Sequence, residues 1–77
     1  MNMIVPLSSL KPGENGIVVD IKGGHQFRSR VVSMGITPGI TVHVVESYAA
    51  GPIIFYVGGT RLAMGKGMAA RILIKKL

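Results

Sequence analysis

The sequence contains no cysteine and no tryptophan, and its only acidic residues are Glu14, Asp20 and Glu46. Without thiols, disulfide stapling and thiolate metal centres are both excluded. No stretch reaches the ~18 uninterrupted apolar residues that a membrane span needs. Met1 to Leu10 lacks the basic start and the apolar run of a signal peptide, so a cytoplasmic compartment is expected. Aromatic residues are scarce too: Phe27, Tyr48, Phe55 and Tyr56 are all there is, too few for a base-stacking platform. Catalytic patterns are missing as well. There is no G-x-S-x-G elbow, no pair of carboxylates, no H-E-x-x-H and no phosphate-binding G-x-x-x-x-G-K-[ST]. No enzymatic activity and no cofactor are therefore expected.

What is present is an apolar, basic and glycine-rich chain. Its 77 residues are 48% apolar, with nine Lys and Arg giving a net charge of +6. That length corresponds to one domain, 1–77, near the lower end of what a single core stabilises. At roughly 0.05–0.15 kcal/mol per residue, a net stability of a few to about 10 kcal/mol is expected. The positive charge suits an acidic partner, whether nucleic acid, an anionic leaflet or an acidic protein face. It equally serves to keep a small apolar domain in solution.

Eleven glycines and four prolines cut the chain into short elements. Leu7 and Leu10 read as an apolar lead-in. Strands are expected at Gly16–Ile21, Thr41–Ser47, Ile53–Val57, Thr60–Met64 and Arg71–Lys75, where apolar residues alternate or run together. Gly58-Gly59 suits a two-residue hairpin turn, and Gly65–Ala69 a single helical turn. One helix, about Gln26 to Met34, places Phe27, Val31 and Met34 on a common face. Five short strands argue a closed barrel, since closure hides strand edges. Strict pleating turns Ile17, Val44, Ile53, Phe55, Val57 and Ile72 inward. It turns Val18, Val45, Ile54, Tyr56 and Leu73 outward, an apolar surplus that suits self-association or a partner.

The segment Gly23–Gly39, GGHQFRSRVVSMGITPG, carries the most information. Gly35 suits the left-handed position that ends a helix, and Pro38-Gly39 the centre of a type II turn. With the following Thr41–Glu46, Gly51-Pro52-Ile53-Ile54 and Gly59–Ala69, the order resembles the FeoA family over Pro6 to Ile74. The resemblance implies a small five-stranded SH3-like barrel with one short helix between strands one and two. It also implies a cytoplasmic protein-interaction module, accessory to ferrous-iron uptake, whose partner is the transporter FeoB at the inner face of the membrane. Membrane contact would then be indirect. A related module forms the C-terminal domain of some iron-dependent repressors, but the chain starts at Met1 without a helix-turn-helix, so a repressor fragment is disfavoured.

Candidate partner-binding residues follow from geometry. At 100° per residue from Phe27, Val32 lies near the exposed side beside Arg28, with Arg30 on the other flank. An apolar residue framed by arginines has the anchor-and-rim character of interfaces. Ile54, Tyr56, Arg61 and Leu73 complete the set on the strands. The alternative from another class is a small nucleic-acid-binding barrel, or a repressor-type regulatory module. The basic residues are dispersed rather than clustered, so no specific nucleic acid is expected. For a metal, His25 and His43 are weak candidates: they are distant in sequence, and no third ligand follows at a ligand spacing. His25 reads as a loop residue and His43 as an outward strand residue.

Overall fold

A computed structural model describes residues 3–77 of the chain. Six antiparallel strands form one sheet in the order β1-β6-β2-β3-β4-β5. The strands are β1 (Ile4–Pro6), β2 (Asn15–Ile21), β3 (Thr41–Ser47), β4 (Ile53–Val57), β5 (Thr60–Met64) and β6 (Ile72–Lys76). Helix α1 (His25–Ser33) joins β2 to β3, and the single turn α2 (Lys66–Ala69) joins β5 to β6. The architecture is mainly β and SH3-like, as expected. Three strand ranges, β3, β4 and β5, fall where the alternation and glycine turns put them. His25, expected in a loop, opens α1, and the last strand begins at Ile72 rather than Arg71.

Two features differ from the expectation of five strands closed on themselves. Ile4–Pro6 forms a sixth strand paired with β6, in the register Ile4 to Lys75 and Pro6 to Leu73. A 3-10 turn at Leu7–Ser9 follows it and buries Leu7. Among the described residues no ladder joins β5 to β1, so the hydrogen-bonded strand order of the SH3-like barrel is not continuous all the way round. The core gathers side chains from both ends of the chain, including Leu7, Val31, Phe55, Ile72 and Ile74, all fully buried.

The pleat of β2 runs opposite to expectation. Val18 is buried and Val19 exposed, while Ile17 is only half-buried. The register explains this: Val18 pairs with the inward Ile74, whereas Ile17 pairs with Lys75 and Thr41. A bulge between Val18 and Asp20 then returns Ile21 to the core opposite Ile72. Gly16 sets this phase, because its missing side chain admits Ile74 and the Lys75 carbonyl. A second bulge, between Val44 and Glu46, leaves Val45 half-buried and sets Glu46 opposite Ile54.

The turns obey their residues. Gly58 and Gly59 sit at φ of 55° and 87°, as a two-residue hairpin with positive φ at both centres demands. In α1 and its C-terminal cap, Val31 is buried, Phe27 and the capping Met34 pack partly against the core, and Val32 is 48% exposed. The stripe read from the sequence is therefore the buried face of the helix.

Candidate interaction site

The residues singled out from the sequence fall in three places. Arg28, Arg30 and Val32 are exposed on α1. Ile54, Tyr56 and Arg61 lie on β4 and β5, where Tyr56 pairs laterally with His43 and Arg61. Leu73 is half-buried on β6 between Asp20 and Pro6, with β2 and β3 separating it from β4. The five apolar residues expected to face outward therefore do not make one patch. Val18 is in the core, Val45, Ile54 and Leu73 are half-buried, and Tyr56 is exposed.

The strand face around Tyr56 is already internally satisfied. Arg61 pairs with Glu46 at 3.7 Å, and the Tyr48 hydroxyl donates to the same carboxylate at 2.9 Å. That hydrogen bond and the nearby negative charge push the Tyr48 phenol above its usual pKa. Lys66 donates to the Tyr48 carbonyl at 2.7 Å and closes the cluster. The other two carboxylates are likewise engaged. Glu14 pairs with Lys76 and also accepts from the Lys11 backbone, and both bonds lower its pKa. Asp20 pairs with Lys22 at 3.2 Å and accepts from the Ile21 backbone, which lowers its pKa too. All three acidic side chains are thus neutralised on the strands and their loops.

The helical side is different. Between α1 and α2 lies a cavity of about 310 Å³, lined by Phe27, Arg30, Gly67, Met68 and Arg71. A second recess of about 210 Å³, bordered by Gln26, Phe27 and Arg30, adjoins it through the shared residues. The Arg71 guanidinium stands over the Phe27 ring, 5.1 Å from its centroid. Neither Arg30 nor Arg71 has a carboxylate partner among the described residues. The site thus offers an apolar floor and two cationic side chains. Sequence reasoning placed Arg30 at the rim but left Gly67, Met68 and Arg71 out. The only signal for them was the odd placing of a glycine inside a predicted helical turn.

The two histidines stand apart. His25 stands at the start of α1 and is exposed. His43 Nδ1 is hydrogen-bonded with Asn15 Oδ1 on the neighbouring strand. Among the described residues no three His, Cys, Asp or Glu side chains converge as a metal site would need. No helix among them is long and apolar enough to cross a membrane.

Fold and surface together define a small SH3-like β domain that carries a cationic, apolar-floored groove. The family model for the FeoA domain matches residues 5–76, and the chain belongs to the FeoA family. A relative from Methanocaldococcus jannaschii named "Putative Fe(2+) transport protein A" is 37% identical over 70 residues, spanning 91% of this chain and 84% of that one. A crystal structure of an iron uptake regulatory protein, FeoA, superposes with a TM-score of 0.94 at 57% identity, covering 97% of this chain and all of the other. A manganese-dependent transcriptional repressor shares the fold at 22% identity and a TM-score of 0.88, this chain spanning 44% of its length. The chain is thus one of a family of proteins associated with ferrous-iron transport.

Proposed function

We propose that this protein is a cytoplasmic, non-catalytic interaction module that serves ferrous-iron uptake by binding the transporter FeoB. Membership of the FeoA family over residues 5–76 is the observation that carries the reading. The surface supports it: exposed positions supply arginines and apolar side chains, the composition of a protein-binding surface. Helix α1, with Arg28, Arg30 and Val32 exposed, is the element assigned to recognition, and Ile54 with Tyr56 on β4 is the competing face.

Capture of full-length FeoB from detergent by the immobilised protein tests this reading, with a competing oligonucleotide in a parallel lane. Retention of the transporter that the oligonucleotide does not displace is the expected result. Retention of nucleic acid alone would replace the reading with the nucleic-acid one.

A further inference from the structure

We propose that the groove between α1 and α2 docks an acidic segment of a protein partner. An apolar side chain of that segment sits over Phe27 and Met68, and flanking carboxylates pair with Arg30 and Arg71. The inference rests on the interaction-module reading for the partner's identity and adds the chemistry of the contact.

Charge makes the first argument. The three side-chain carboxylates are paired with Lys22, Arg61 and Lys76, so nothing within the described residues neutralises the two groove arginines. Carboxylates brought by a partner would meet guanidinium groups that give up no existing ion pair. Arg71 is also prearranged. Its carbonyl accepts from the Lys22 backbone at 2.7 Å, its own N–H donates to the Met68 carbonyl at 3.0 Å, and its guanidinium lies over Phe27. A guanidinium oriented in advance loses less freedom on binding a carboxylate.

Shape makes the second. Phe27 and Met68 are half-buried, each packed on the core from one side and open to the groove on the other. Methionine adapts its unbranched chain to whatever apolar group arrives. On the α2 wall, a Cβ added at Gly67 would meet nothing within 4 Å. The space in front of this residue is open, and about 310 Å³ suits one or two side chains of an extended segment. A nucleic acid is disfavoured, because Phe27 is the one aromatic ring in the groove lining and base stacking draws on successive rings.

Two variants separate the possibilities. Gly67→Phe fills the groove without touching its charges, and Arg30→Glu with Arg71→Glu reverses the charges without filling it. Two probes are titrated against the full chain: FeoB in detergent, and a labelled peptide of two leucines flanked on each side by Asp and Glu. Each variant, checked by circular dichroism, is expected to weaken both probes by about tenfold or more. Chemical-shift changes on adding the peptide should centre on Phe27, Arg30, Gly67, Met68 and Arg71. Peptide binding absent at about 1 mM overturns the groove proposal. So does FeoB binding that both variants preserve, and in that case the interaction-module reading survives. Groove-dependent peptide binding without any FeoB binding upholds the site and removes FeoB as its partner. An oligonucleotide that takes the groove in preference to the peptide at physiological salt overturns the acidic-segment assignment.

Discussion

Ile74 occupies the space that any side chain at Gly16 would need. The two residues sit on neighbouring strands, β2 and β6, and the branched end of Ile74 fills the gap left by the missing Cβ. Even one methyl group at Gly16 would overpack this contact and press on the Lys75 carbonyl. Gly16→Ala is expected to cost about 1–3 kcal/mol in urea unfolding. Gly67→Ala should act in the other direction. Its site is open and helical, and alanine is favoured over glycine in a helix by about 0.5–1 kcal/mol. An equal effect of the two changes would show that Ile74 yields freely and that the contact does not set the phase of β2.

Val31 and Val32 form a second contrast. Val31 is fully buried, and a carboxylate there would lose water without gaining a partner. Val31→Asp is expected to abolish the cooperative thermal transition. Val32 is 48% exposed, so Val32→Asp should cost less than about 0.5 kcal/mol. Val32 does not line the groove, and the folded variant should bind the acidic peptide as the wild type does. Loss of FeoB binding in a folded Val32→Asp protein would place part of the contact on the opposite flank of α1.

Stability should fall on the acid side through Glu14. Lys76 and the Lys11 backbone lower its folded-state pKa below the ordinary 4.5. A depressed pKa contributes stability that is complete above the unfolded value and is lost as pH falls through the folded one. Asp20 acts with the same sign below its ordinary 3.8. Melting temperatures followed downward from neutral pH should therefore drop below about pH 4.5, and Glu14→Gln should flatten that slope. An unchanged acid limb in Glu14→Gln would mean that the pair with Lys76 is broken in solution.

Nucleic acid should bind weakly and through charge alone. Each phosphate contact on duplex DNA steepens the salt dependence by about 0.9 log unit per log unit of salt. Binding that disappears near physiological salt is expected from electrophoretic shifts over a salt series. Tight binding to one sequence under those conditions would favour the nucleic-acid reading instead.

The sequence was most legible where period and turn chemistry agreed. Val42 and Val44 alternate with His43, and Gly58-Gly59 marks the hairpin, so β3, β4 and β5 could be bounded closely. It was least legible at β2, where Ile17, Val18 and Val19 are all apolar and alternation alone cannot tell which of them faces inward. The phase is decided by Gly16 and Ile74, far apart in the chain, and by a bulge with no sequence mark of its own. Strand β1 has only three residues, too short for any period, and exists because β6 pairs with it. The groove was hidden for a related reason: Phe27 and Arg30 meet Met68 and Arg71 only after the sheet has brought α1 and α2 together.

The strand order also dictates when the chain can fold. Strand β6 is inserted between β1 and β2, paired to both, although it comes after the other five strands of the sheet in the chain. Until residues 72–76 have left the ribosome, β1 has no partner and one edge of β2 stays open. The run β2-β3-β4-β5 can therefore pair before β6 emerges, whereas β1 must wait for it. A nascent chain arrested before Ile72 would expose Val18 and Ile21 to its neighbours, a natural substrate for a chaperone rather than a partly active protein.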